Sequence, residues 1–324
     1  MIVRWGLGSL QGVIDELGLK ATLLVSTERW RGLELPVAEH FYGAKPHAEQ
    51  DAVQAAIEAA ADADSLVALG GGSTIDTAKA VSATTGLPLV SIPTTYSGAE
   101  WTDYFGVRDP VRRVKGGGGG AHLAGIVYEP GLMLDLPPAE SGGTAMNALA
   151  HCAEPLYVRG HNDEADRHAL EGARLISAFL PRVLADGDDL EARTELLHGA
   201  AEAGEALAGS GLALGHAMAQ ALGGRYGLPH GALNAICLPA ALRFNAPVAG
   251  DAIRRFGEAM GTGDPIGRVE ELARLSGCER LRDLGVPQEE LEEIAEATAA
   301  RPGARLNPRP ATPAHIAELL RSVW

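Results

Sequence analysis

The chain has 324 residues, with 27 Lys and Arg against 42 Asp and Glu, a formal net charge of −15 and 46% hydrophobic residues. At roughly 100 to 200 residues per domain, this length points to two domains with enough apolar surface for a real core. The acidic excess repels phosphate backbones and anionic membrane surfaces, which excludes nucleic-acid and membrane partners.

Taken in chain order, Met1-Ile2-Val3-Arg4-Trp5-Gly6-Leu7-Gly8 lacks the basic and apolar regions of a signal peptide, and no apolar run is long enough to span a bilayer. The expectation is a cytoplasmic protein. Ala21 to Val25 reads as a buried strand, residues 48–61 as a helix, and Ser65 to Leu69 as a strand that stops at Gly70-Gly71-Gly72. Ser73 is placed to cap a helix running to about Thr84. Leu89 to Ile92 forms the next strand, ending at Pro93-Thr94-Thr95. Such alternation is the pattern of βαβ units and a parallel sheet. The glycine run Gly116 to Gly120 reads as a flexible loop. Pro137-Pro138 breaks helix and strand alike and sets a boundary between residues 1–137 and 138–324. Beyond it the pattern is helical, with predicted helices at 142–158, 163–180, 190–207, 213–222, 249–260, 266–275, 289–298 and 313–323. The odd set Cys152, Cys237 and Cys278 has no CxxC spacing and reads as buried thiols.

Gly70, Gly71, Gly72, Ser73 and Asp76 stand where a strand turns into a helix. Unpaired N–H groups and the positive dipole end favour an anion there, and glycine lets backbone approach it, as a pyrophosphate requires. Thr94, Thr95 and Ser97 follow the next strand and reinforce a dinucleotide site, since ligands of open α/β sheets collect at the carboxyl ends of strands. The spacing departs from GxGxxG. After the first long strand stands Thr27, which cannot exclude a 2′-phosphate as a carboxylate does. Arg29 and Arg31 welcome one and Glu28 does not, so NAD(H) and NADP(H) both remain open. Asp76 reads equally as a first-turn acid complementing the dipole.

In the helical half, Asn147 and His151 face the same way one turn apart, and His216 and His230 lie on or near further helices. Imidazole serves as a proton relay near neutral pH and as a metal ligand, although any single histidine is more often simply hydrogen-bonded structure. His40, His161 and His198 fit no spacing and read as surface residues.

Gly70 to Asp76, Pro93-Thr94-Thr95, the helix Asn147 to Glu154, and His216 through Pro229-His230-Gly231 resemble, in order, the motifs of the iron-containing (group III) alcohol dehydrogenase family. The resemblance implies an α/β nucleotide-binding domain, an all-α substrate and catalytic domain, and a cleft where nicotinamide meets substrate, as in dehydroquinate synthase and glycerol dehydrogenase. Metal-dependent members hold iron or zinc with an Asp and three His. Here Asn147 stands at the Asp position, with His151, His216 and His230 at the others. Together with Asn245-Ala246-Pro247 this resembles the maleylacetate reductase branch, whose members act without a metal. Loss of the carboxylate weakens a dication site in the same direction.

The resemblance therefore implies an NAD(P)H-dependent reductase of an enone or carbonyl in a small substrate, metal-independent and homodimeric. Lys115 matches a family lysine near the cofactor. His151, His216 and His230 would bind substrate oxygen and protonate the enolate or alkoxide. A dicarboxylate substrate needs a cation, for which Arg108, Arg112, Arg113 and Arg225 stand by position only and read as solvated. Three departures are plain. Gln220 stands where the family carries another His, the glycine run replaces a more polar stretch, and the chain opens close to Trp5 without most of the expected N-terminal strand segment. If the histidines hold Fe or Zn, with Asn147 as fourth ligand, the alternative is a metal-dependent alcohol dehydrogenase or aldehyde reductase. A non-redox lyase or cyclase on the same scaffold, or a non-catalytic nucleotide binder, is the other.

Overall fold

Short runs of aliphatic residues, bounded by glycine, proline or polar residues, become strands in the N-terminal part of the computed structural model, which describes residues 1–324. The chain divides into two units, Met1–Thr95 with Ala99–Met133, and Tyr96–Gly98 with Leu134–Trp324.

The first unit contains strands β1 (Ile2–Trp5), β2 (Thr22–Val25), β3 (Glu39–Phe41), β4 (Ser65–Gly70), β5 (Pro88–Pro93), β6 (Phe105–Asp109), β7 (Val114–Gly118) and β8 (His122–Tyr128). Six form one parallel sheet in the order β1-β8-β5-β4-β2-β3, while β6 and β7 pair as a separate antiparallel hairpin. Helices α1 (Leu10–Leu17), α2 (Gln50–Ala59) and α3 (Gly72–Thr85) complete the unit. β4 is buried along its whole length because both faces are covered. Leu66 and Ala68 pack with Ile75, Ala78 and Val81, while Val67 and Leu69 pack with Leu10, Val13 and Ile14. A strand buried on both faces reads as a continuous apolar run. From β2 the chain proceeds outward to β3, and from β4 outward to β5 on the other side. The carboxyl ends of β2 and β4 therefore flank the point where strand order reverses, the place where such sheets take ligands.

The second unit is helical, with α4 (Pro138–Ala153), α5 (Asp163–Ala185), α6 (Leu190–Gly209), α7 (Leu214–Tyr226), α8 (His230–Ala259), α9 (Pro265–Leu275), α10 (Leu291–Ala299), α11 (Pro302–Leu306) and α12 (Pro313–Ser322). α4 is its central helix, buried from Ser141 to Ala153 except at Thr144 and packed by α5, α6 and α8. All three cysteines are buried and unpaired. No helix is long and apolar enough to cross a membrane.

The fold class is the expected one, α/β followed by all-helical, and several local expectations are corrected. Ile2–Trp5 forms an edge strand against β8, a short segment that the sequence reading did not assign. The glycine run is no loop over Gly116, Gly117 and Gly118, because β6 supplies a backbone ladder. A Cβ at Gly118 would lie 2.5 Å from the Phe105 ring, so the aromatic covers the bare strand. Gly71, not Ser73, caps α3, and the Ser73 hydroxyl accepts the His47 amide at 2.9 Å. The helix expected from Ala249 begins at His230 and only bends at Ala249, with Pro239 and Pro247 inside it. Those prolines and an apolar surface on all sides of a buried segment conceal a helical period. His198 is half-buried rather than exposed.

Candidate functional site

In the first unit, the turn after β4 is shaped for close backbone approach. Gly70 has φ of +156°, and a Cβ there would lie 2.6 Å from Thr74 Oγ1. A Cβ on Gly71 would lie 2.9 Å from Thr95 Cγ2. Any side chain at either position would fill the turn. The Thr74 and Ile75 amides donate to the Gly71 carbonyl, so the amides ahead of them are the orphan donors of the α3 terminus. The Thr94 amide donates to the Gly70 carbonyl at 3.1 Å, which draws Thr94 and Thr95 to the turn. This cradle fits a pyrophosphate.

Asp76 has another occupation. Its carboxylate pairs with buried Lys79 at 3.0 Å and accepts the Gly106 amide at 3.1 Å, tying the hairpin to α3. Lys115 lies on that hairpin, its side chain over Gly106. Thr27 stands just past β2, bridged to Gly43, and Arg31 beside it is held by Glu28 through bonds of 2.7 and 2.6 Å. Ser97 belongs to the second unit, where its carbonyl accepts from Asn147 Nδ2 at 3.0 Å.

Four predicted residues of the second unit meet around α4. The His151 and His216 rings stack with centroids 4.7 Å apart and planes 17° apart, and His230 lies 5.9 Å from His216. Asn234, one turn after His230, donates to Asn147 Oδ1 at 2.6 Å and lies 3.1 Å from His230 Nε2. Gly231 makes this meeting possible, since a Cβ there would strike the Gly143 carbonyl and hold α8 off α4. Glu154 is buried and accepts three hydrogens: the Ala213 amide at 2.7 Å, the His216 amide at 3.2 Å and His216 Nδ1 at 2.9 Å. A carboxylate only accepts, so the Nδ1 hydrogen is fixed and His216 Nε2 becomes the atom open to chemistry. Burial, reinforced by His216 and His230, holds the His151 imidazole well below its ordinary range, so it stays neutral.

A bound dication asks for lone pairs converging about 2.0 to 2.1 Å from one point. Two nearly parallel rings do not aim in-plane lone pairs at a common point. His230 Nε2 faces the Asn234 amide, and the Asn147 oxygen is taken by Asn234. No group of three or more His, Cys, Asp or Glu side chains is spaced to hold a metal ion. The donor set does not fit a dication.

Glu154 and Asn234 were missed in the sequence as site residues, although each follows a motif histidine at helical spacing, three and four residues on. Asn245 is engaged structurally in a buried amide pair with Asn307, with bonds of 2.9 and 2.8 Å. Arg225 is neutralised by Glu290 and Glu293, Arg108 lies 4.0 Å from Glu49, and Arg112 and Arg113 are exposed on the hairpin turn.

Residues 7–123 match the family model described as iron-containing alcohol dehydrogenase, and residues 142–324 match the C-terminal model of the Fe-containing alcohol dehydrogenase family. A maleylacetate reductase of Sphingobium indicum is 36% identical over 332 residues, covering 98% of this chain and 94% of that protein. Maleylacetate reductase 1 of Cupriavidus pinatubonensis is 35% identical, covering 95% and 90%. The crystal structure of maleylacetate reductase from Agrobacterium tumefaciens superposes with a TM-score of 0.89 at 32% identity, covering 100% of this chain and 95% of that one. These likenesses define an oxidoreductase. The chain belongs to the iron-containing alcohol dehydrogenase family and stands in its maleylacetate reductase-like branch.

Proposed function

We propose that the protein is an NAD(P)H-dependent reductase that acts, without a metal ion, on the conjugated alkene or carbonyl of a small substrate of the maleylacetate type. One observation carries this reading. Buried polar atoms without partners, His151 Nδ1, His216 Nε2, Asn234 Oδ1 and Ser97 Oγ, sit on the three residues that hydrogen-bond the neutral amide of Asn147 and on the ring stacked against His151. Native interiors rarely leave such atoms unmatched, and several together call for a ligand with polar groups of its own. An amide in place of a carboxylate, among imidazoles whose lone pairs do not converge, suits an organic electrophile better than a dication. The likeness to maleylacetate reductases supports the substrate type.

A dinucleotide held at the glycine turn would supply hydride from its nicotinamide C4. The amides of Gly71, Gly72 and Ser73 would receive its pyrophosphate, with Asp76 holding the hairpin that carries Lys115 against α3. Thr94, Thr95, Ser97 and Lys115 would serve the ribose and nicotinamide, and Thr27 the adenosine ribose. His216, as the imidazolium, gives the proton on Nε2 to the substrate enolate or alkoxide while its Nδ1 hydrogen stays on Glu154, and is left as the neutral imidazole. His151 and His230 bind substrate oxygen, and Asn147 and Asn234 fix both rings by hydrogen bonds. A homodimer, as the family resemblance implies, working in the cytoplasm completes the reading. The test is loss of reduced-nicotinamide absorbance on adding maleylacetate to NADH or NADPH and the purified protein. No consumption with maleylacetate, other enones or small aldehydes, while nucleotide still binds, would overturn it in favour of the non-redox alternative.

A further inference from the structure

None of the arginines singled out in the sequence offers the second unit a cation for an acidic substrate, yet the structure supplies another. Gln220 follows His216 by four residues on α7 and so stands on the same face one turn on. Its Oε1 lies 3.4 Å from Arg301 Nη1. Arg301 precedes α11, which lies close against α7. A Cβ on Gly303 would be 2.6 Å from the Ala213 carbonyl and 3.5 Å from Ala217 Cβ, and those residues bracket His216 along the chain. The guanidinium is half-buried, its Nε is fully buried without a partner, and no carboxylate pairs with it.

Two comparisons within the same unit sharpen the point. Arg225 is matched by two glutamates. Arg193 is almost wholly buried, but its N–H groups are spent on the carbonyls of Gly187 and Leu136 and the hydroxyls of Tyr96 and Ser141. Arg301 has one long bond to a neutral amide. Burial without a counter-charge pulls its guanidinium below the ordinary value, while Arg remains charged at neutral pH. A partly desolvated, under-bonded guanidinium is costly to keep, and a planar carboxylate is the ligand whose geometry satisfies it.

We propose that Arg301 binds a carboxylate of the substrate, with Gln220 orienting the guanidinium, so that the enzyme selects carboxylate-bearing enones or oxo acids over neutral ones. This rests on the reading that His216 exchanges a proton with substrate. Arg301 anchors the substrate at a distance from the reacting atoms, and its effect falls on binding more than on the chemical step.

The test compares wild type with Arg301→Gln and Arg301→Lys, each checked for folding by its thermal midpoint. With maleylacetate, Arg301→Gln raises KM about 100-fold, the loss of one charge-assisted pair, with a much smaller change in kcat. Arg301→Lys recovers about tenfold of that, as a point charge without the planar fork. With cyclohexenone, which carries no carboxylate, the loss in kcat/KM is at least about tenfold smaller. A folded Arg301→Gln with wild-type KM for maleylacetate overturns the proposal. Succinate, a dicarboxylate that cannot be reduced in this way, separates the two readings. If wild type consumes no NAD(P)H with maleylacetate, other enones or small aldehydes, the reductase reading fails by itself. A thermal midpoint raised by succinate in wild type but not in Arg301→Gln still supports the carboxylate site, and equal or absent shifts overturn it.

Discussion

Glu154 is the residue through which the proposed proton donor is held, and two substitutions separate its two roles. Its carboxylate accepts three buried hydrogens, from the Ala213 and His216 amides and from His216 Nδ1. Glu154→Ala strands all three. At about 1 to 3 kcal/mol for each buried donor left unmatched, the loss is at least about 3 kcal/mol, a large part of the roughly 5 to 15 kcal/mol that holds a domain together. Glu154→Gln is nearly isosteric. With its carbonyl where Oε2 stands, it keeps the Ala213 amide and the Nδ1 hydrogen and sets its NH2 against the His216 amide, a cost of about 1 to 3 kcal/mol. The tautomer survives and the negative charge does not. Charge-assisted bonds are about twice as strong as neutral ones, so His216 loses roughly tenfold to 100-fold in kcat. NAD(P)H affinity is expected to hold. Thermal melts establish folding, and kcat at saturating cofactor, with a solvent isotope effect that grows in the variant, reads the proton step. A folded Gln variant within about twofold of wild-type kcat would refute the reasoning.

Two further predictions bear on packing and on pH. Gly231→Ala drives a methyl into the Gly143 carbonyl, parts α8 from α4, costs about 1 to 3 kcal/mol and lowers kcat. Gly250→Ala, on the same helix with open space around it, should be neutral or stabilising by up to about 1 kcal/mol; equal urea midpoints for the two variants would contradict the packing argument. Glu100 is buried, with Oε1 accepting the Tyr128 hydroxyl at 2.8 Å and Oε2 unpartnered, and burial raises its carboxyl above the ordinary 4.5. Its contribution to stability is thus full below pH 4.5 and is lost as pH rises through the raised folded value. Glu100→Gln cannot ionise, so thermal melts from acid to neutral pH should move in favour of the variant, and a gap that closes or reverses as pH rises would count against this assignment.

What the sequence made legible was local. The glycine turn could be read because strand period, three glycines and helix period follow one another without interruption. The motif histidines could be read from helical spacing and family likeness. The partners that give them roles could not, because each pairing spans a long stretch of chain: His216 to Glu154 across 62 residues, Asn234 to Asn147 across 87, Arg301 to Gln220 across 81. The same holds for β7, whose glycines carry no strand propensity and are ordered by β6 and the Phe105 ring. The first part of α8 was hidden by Pro239 and Pro247 and by burial on every side, which erases the apolar stripe that marks a surface helix. Ser73 drew attention as a cap because serine favours that position, but the extended backbone at Gly71 already makes the turn into α3.

The central claim is that these histidines work as an organic proton and hydrogen-bonding site and not as metal ligands. Its most direct test is NAD(P)H oxidation with maleylacetate before and after exhaustive chelation, with metal content assayed on the same sample. The account predicts turnover that survives chelation in protein carrying far less than one equivalent of Fe or Zn. Turnover abolished by the chelator and restored by Zn²⁺ or Fe²⁺ would contradict it, and would mean that His151, His216 and His230 rearrange around a metal with Asn147 as fourth ligand.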